Sequence, residues 1–207
     1  MFILHDNTES GNAYKARLLL SQLGLPFKTI QYDVTKGETR TAEYLSNINE
    51  NGRIPVVQFE DGRCLAESNA ILYYFAVGTD LFPEDKWHQA EVMKWLFFEQ
   101  YSHEPFVAVA KYILTMLPED SPRRAEIPTL HEKGYIALQI MENRLAAHDY
   151  LVEDRYSIAD IALFAYTHKA AMGGFNLSTF PAILAWFRRI EQTPGFVAMY
   201  PEDWRKP

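Results

Sequence analysis

The chain has 207 residues, 48% of them hydrophobic and 23% charged, with a net charge of −7. That length buries an adequate core in one or two domains, and the composition is ordinary for a soluble globular protein. The acidic balance, with no dense Lys/Arg run, excludes nucleic acid and anionic membrane surfaces as favoured partners. Cys64 is the single cysteine and the six histidines show no HExxH or paired-ligand spacing, so neither disulfides nor a metal site is expected. A basic leader is lacking and no apolar run approaches the roughly 18 residues of a membrane span, which points to the cytosol.

In chain order, Phe2-Ile3-Leu4-His5 reads as a short strand followed by the polar turn 6–12. A helical pattern follows, with Ala16, Leu18, Leu19, Leu20 and Leu23 apolar and Gly24 where a C-terminal cap belongs. Phe27 to Tyr32 alternates as a half-buried strand. Strand, helix, strand implies a parallel pair with a right-handed crossover. A short helix spans Thr41 to Leu45. Val56–Phe59 and Cys64–Ala66 are strands joined through Asp61-Gly62, a strong hairpin signal. A helix from Ser68 to Val77 closes this half. Beyond a linker at 78–84 the strand signals vanish. Long helical patterns run from Asp85 to about Leu117, which Pro105 must kink or break, and from Arg123, or after Pro128, to Ala147. Ser157-Ile158-Ala159-Asp160 opens a third as a capping box, Phe180-Pro181 a fourth, and a last short helix follows Gly195.

Two spaced motifs carry chemistry. In Arg53-Ile54-Pro55-Val56-Val57 the proline cannot donate to a sheet ladder, so it marks a strand start or a special turn. A cis Ile54–Pro55 bond would leave the Ile54 amide and carbonyl free to pair with an extended ligand backbone. In the second motif, Glu67 offers a partner for an ammonium, and Ser68, at a helix start, offers its hydroxyl and amide to a carboxylate. Together they describe a site for a small peptide bearing a free α-amino acid head. The structural alternatives are a strand-initiating proline and an ordinary helix cap.

These motifs, the Ser-Ile-Ala-Asp box and the element order together resemble the cytosolic glutathione transferase family over essentially the whole chain. The loop Ser10-Gly11-Asn12 looks like its bacterial, theta/nu/beta-like branches, which use serine there. The resemblance implies an α/β thioredoxin-like N-terminal domain (βαβ-ββα, mixed four-stranded sheet, residues 1–77) and an all-α C-terminal domain (85–207) forming the electrophile site. Glutathione would be the co-substrate, without a metal, and the protein a homodimer. By that resemblance Ser10 donates a hydrogen bond to the glutathione thiolate, with Asn12 ordering the loop or donating a second; Thr8 and Tyr14 are rival hydroxyls. Ile54 pairs with the cysteinyl unit and Pro55 presents it. Glu67 and Ser68 hold the γ-glutamyl head, and Arg40 and Arg53 are candidates for the glycyl carboxylate. Tyr101, His103, Phe106 and Tyr112 are candidates for the wall of the electrophile pocket, with core or dimer contact as the alternative. Conjugation to a small hydrophobic electrophile is the implied reaction. A glutathione-dependent disulfide reductase or peroxidase, or a non-catalytic regulatory module of the same fold, are its rivals.

Overall fold

The structure, a computed structural model, describes residues 1–200. It comprises two units: Met1–Val77 together with the segment from Thr193 onward, and Gly78–Gln192.

In the first unit β1 (Phe2–Asp6) lies parallel to β2 (Phe27–Gln31), in register from Phe2 opposite Phe27 to Asp6 opposite Gln31. The crossover is α1 (Gly11–Gln22). After two short 3₁₀ turns and α2 (Ala42–Asn47), β3 (Val56–Gln58) pairs antiparallel with both β1 and β4 (Cys64–Ala66), and α3 (Ser68–Ala76) follows. The sheet order β2-β1-β3-β4 is the mixed four-stranded arrangement that the βαβ-ββα order implies. Leu4 and Val57 are register partners and so share a sheet face, where Ala16 of α1 and Ile71 of α3 cover them. Gly24 ends α1 in a Schellman turn: at φ +65 its amide reaches Ser21 O while Leu25 N reaches Leu20 O, a left-handed conformation that costs glycine least.

The segment from Thr193 departs from its expected place. No helix follows Gly195 within the described residues, and 201–207 lie outside them. The stretch from Thr193 also does not belong with the helical unit. It straps α1 instead: Gln22 Nε2 donates to Thr193 Oγ1 (2.7 Å), Ser21 Oγ to Gly195 O (2.8 Å) and the Tyr14 hydroxyl to Val197 O (2.7 Å). Gly195 makes this approach possible. Its φ is +71, and a Cβ there would lie 2.8 Å from Gln22 Cα and from Ser21 O. Pro194-Gly195 therefore ends the helical pattern and turns the chain onto α1, and the helical unit ends at Gln192 and not at the 207 expected.

The second unit contains α4 (Lys86–Phe98), α5 (Glu104–Met116), α6 (Ile127–Leu145), α7 (Ile158–Thr167) and α8 (Pro181–Glu191). Asp85 caps α4 through the amides of Trp87 and His88. The break expected at Pro105 falls just before it, in a π-helical turn at Glu99–His103, and Pro105 sits in the first turn of α5, where a missing N–H costs least. Pro128 likewise opens α6. α7 is apolar nearly all round and is accordingly buried from Ile158 to Ala165. The N-terminus of α8 has no cap of its own. The Glu142 carboxylate of α6 serves instead, accepting from Ala182 N and Ile183 N at 2.9 Å each.

The capping box at α7 is formed, and its acidic member does more than cap. The fully buried Asp160 accepts from Ser157 N (3.0 Å), Ser157 Oγ (3.2 Å), Leu151 N (3.1 Å) and Trp186 Nε1 (2.9 Å). Burial pushes its pKa up to about 6, against the pull of these donors. Asp160→Asn would turn an amide N–H₂ toward a backbone or indole N–H, which only donates, whichever way it is oriented. We expect it to lower the unfolding free energy by about 2–3 kcal/mol in urea titration; a loss below 0.5 kcal/mol would mean the network is incidental.

Candidate functional site

The loop from β1 to α1 is built by its side chains. Asp6, the last residue of β1, is fully buried and receives Arg17 Nη1 on both oxygens (3.1 and 2.9 Å) and Gln31 Nε2 (3.0 Å). Arg17 also reaches Thr8 O at 3.2 Å. Asn7 makes an Asx turn to Glu9 N (2.9 Å), ties its amide to Tyr32 O (2.7 Å), and accepts Ser10 N on its carbonyl (2.9 Å). Ser10 is thereby delivered to the N-terminus of α1, where its Oγ accepts from Ala13 N at 3.2 Å. The cap uses a lone pair and leaves the hydroxyl proton to donate elsewhere. The rival hydroxyls are committed as donors: Thr8 Oγ1 to Gln31 Oε1 (3.1 Å) and Tyr14, fully buried, to Val197 O.

At the start of α3 lies a second polar cluster. Ser68, buried, donates to Asn12 Oδ1 (3.0 Å) and accepts from Lys15 Nζ (3.4 Å), which also lies 3.5 Å from Asn69 Oδ1. Asn12 thus ties the Ser10 loop to Ser68. Lys15 is 0% exposed, a buried ammonium beside a helix N-terminus. Sequence reasoning passed over Lys15 and Asn69, although a lysine inside the apolar stripe of α1 was a visible signal. Glu67 precedes this cluster at φ +67, ψ 114, a conformation that a non-glycine residue adopts only under constraint. Its side chain makes no capping bond and is exposed.

The third element is the stretch before β3. The Ile54–Pro55 bond is cis. The carbonyl of Arg53 is held from two sides, by the Tyr44 hydroxyl (2.8 Å) and Asn49 Nδ2 (2.9 Å), and among the described residues the backbone of Ile54 enters no backbone hydrogen bond. Tyr44 packs edge-on against Tyr32, which in turn bonds His5 Nδ1 at 2.9 Å. Burial raises the Tyr44 phenol and lowers the His5 imidazole, keeping both neutral. Arg40 donates to Asn51 O (2.9 Å), so its guanidinium lies on the loop that carries the exposed Arg53.

The residues expected to line an electrophile pocket are not brought together. Tyr101 is 85% exposed on the π turn, whereas His103 is fully buried with Nε2 3.0 Å from Thr167 Oγ1. Both lie on the π-helical turn, two residues apart and in opposite environments. Phe106 lies under Lys133 Nζ (5.2 Å to the ring) and Tyr112 is 44% exposed. His103 is therefore a core residue of α7 packing, not a pocket residue. Cys64 is partly buried; desolvation raises its pKa, which disfavours the thiolate. Among the described residues Asp85, His88 and Glu153 bring ligand-type atoms within 4.8 Å of one another, with His88 Nδ1 hydrogen-bonded to the α4 cap Asp85 at 2.7 Å.

Residues 1–77 match the glutathione S-transferase N-terminal domain and residues 106–194 match the glutathione S-transferase C-terminal domain. A glutathione S-transferase of Pseudomonas fluorescens Pf-5 is 47% identical, superposes with a TM-score of 0.93, and aligns over 97% of this chain and 99% of its own. The glutathione transferase URE2P6 of Phanerochaete chrysosporium, solved in complex with oxidized glutathione, is 26% identical with a TM-score of 0.83, over 94% of this chain and 92% of its own. The transcriptional regulator URE2 of Saccharomyces cerevisiae is 25% identical over 95% of this chain, which spans 66% of that protein. The chain belongs to the glutathione S-transferase family.

Removing the Asp6 carboxylate would leave the Arg17 guanidinium facing a buried site without its counter-charge. Asp6→Ala is expected to cost about 3–5 kcal/mol of unfolding free energy, read by urea denaturation. Thr8→Ala, which removes one exposed hydroxyl, should cost under about 0.5 kcal/mol. Equal losses would show that the loop is not held by the buried pair.

Proposed function

We propose that the protein is a glutathione transferase in which Ser10 stabilises the thiolate of bound glutathione for attack on a small hydrophobic electrophile. The observation that carries this reading is the placement of Ser10 as the N-cap of α1, its oxygen used by Ala13 N and its proton left to donate. Free thiols ionise near pKa 8.5, so at neutral pH only a few per cent is thiolate. Lowering that value by about two units requires roughly 2.7 kcal/mol of preferential stabilisation. A hydroxyl bonded to a charged acceptor contributes about 1.5–3 kcal/mol, and the amides and dipole at a helix N-terminus add to it. Positioning then makes the attack effectively unimolecular.

For the rest of the tripeptide, Ser68 and the amides opening α3 take the γ-glutamyl carboxylate, with the Lys15 ammonium behind them, and Glu67 takes the ammonium. The backbone of Ile54 pairs with the cysteinyl unit. Arg40 and Arg53, on the adjoining loop, meet the glycyl carboxylate. The oxidized glutathione bound to the Phanerochaete relative gives specific support to a second reading, a glutathione-dependent disulfide reductase using the same site.

Calorimetric titration with glutathione should give a saturable isotherm, weakened about tenfold to a hundredfold in Ser68→Ala through loss of a hydrogen bond to a charged group. Bound wild-type complex should show thiolate absorbance at neutral pH. Ser10→Ala should move its ionisation midpoint up by about 1–2 pH units. An unchanged midpoint would remove Ser10 from the mechanism, and no binding at millimolar glutathione would leave a non-catalytic module of this fold. Turnover of aryl halides against mixed disulfides separates the two enzyme readings.

A further inference from the structure

Glu9 precedes Ser10 directly, and a carboxylate beside a thiolate would raise the thiol pKa and work against the proposed chemistry. The structure gives that carboxylate a fixed partner. Tyr200, only 3% exposed, donates its hydroxyl to Glu9 Oε2 at 2.9 Å. The Glu9 backbone is already pinned by Asn7 Oδ1, so the side chain alone is left to be placed. Tyr200 comes from 191 residues away in sequence, at the end of the segment that straps α1 through Thr193, Gly195 and Val197. Burial, and next the hydrogen bond to Glu9, raise the Tyr200 phenol so that it stays a neutral donor. The other charged or titratable groups around the pair are already engaged: Arg17 with Asp6 and Thr8 O, and Tyr14 with Val197 O.

We propose that Tyr200 is a positioning residue for the thiolate site, delivered by the C-terminal strap to hold the Glu9 carboxylate in place and take up part of its charge. This rests on the reading of Ser10 as the thiolate donor. Without the phenol, the Glu9 side chain is free to rotate and its full charge acts on the neighbouring thiolate. The strap thereby couples the far end of the chain to the acidity of a thiol held at its beginning.

The test is the thiolate absorbance of bound glutathione followed against pH in wild type, Tyr200→Phe, Glu9→Gln and the double variant. Tyr200→Phe should raise the midpoint by about 0.5–1 pH unit, as a carboxylate acting on a neighbouring acid does. Glu9→Gln should sit at or below wild type, and the double variant should match Glu9→Gln. Gly195→Ala, which drives a Cβ into α1 and lifts the strap, should reproduce the Tyr200→Phe shift and lose it when Glu9 is glutamine. A wild-type midpoint in Tyr200→Phe, a rise in Glu9→Gln, or an equal Tyr200→Phe shift in both backgrounds overturns the proposal. If Ser10→Ala shifts the midpoint and Tyr200→Phe does not, only this inference fails. If wild type binds no glutathione, the transferase reading fails and takes this one with it.

Discussion

The buried pair of Asp6 and Arg17 is the interaction on which the arrangement of the first unit depends. A parallel β-α crossover must carry the chain from the end of β1 to the start of α1 across a short polar loop, and polar loops do not hold a fixed shape by themselves. Here a carboxylate with no solvent exposure closes the end of β1, and a guanidinium from the second turn of α1 grips both of its oxygens and the carbonyl of Thr8. Such a pair gives little net stability over a hydrophobic substitute, but losing one partner is costly because the other is left charged in a low-dielectric setting. The geometry is therefore all-or-none. The same loop carries Ser10 to the helix terminus, where the proposed chemistry needs its hydroxyl fixed.

What could be read from the sequence was what local chemistry dictates. Strand–helix–strand order, the glycine after α1, the Asp-Gly hairpin and the Ser157–Asp160 box each depend on residues within one or two turns, and each is found in place. Pro55 and Glu67-Ser68 stood out as candidates because their spacing resembles a family pattern. The couples that build the site were not legible, since their members are far apart in sequence: Lys15 with Ser68, Gln31 with Asp6, Tyr44 with the Arg53 carbonyl, and Tyr200 with Glu9. A lone Arg17 or Tyr200 looks like any surface residue until the fold brings its partner.

The second unit was misread for a different reason. Tyr101, His103, Phe106 and Tyr112 were candidates for a pocket wall along one long helical segment, but the π turn at Glu99–His103 interrupts that segment and shifts its phase. His103 rotates into the core against Thr167 while Tyr101, two residues earlier, rotates out. A phase change of this kind leaves no composition signal. Two buried carboxylates of the unit, Asp160 and Glu142, accept from the helix starts of α7 and α8, so their burial follows from structure.

The two ends of the proposed glutathione site differ in electrostatics, and the chemistry requires that difference. The glutamyl carboxylate is ionised at any physiological pH, so a buried ammonium such as Lys15 near its subsite adds binding without altering reactivity. The thiol has to be ionised and then give up its electron pair. Intrinsic nucleophilicity falls as thiol pKa falls, and the best attacking thiol has a pKa near the ambient pH. A cation beside the sulfur would overshoot that optimum, and an unrestrained carboxylate would undershoot it. In the proposed site, a neutral hydroxyl at a helix N-terminus, with the neighbouring carboxylate held by a phenol, would supply the intermediate stabilisation that this optimum requires.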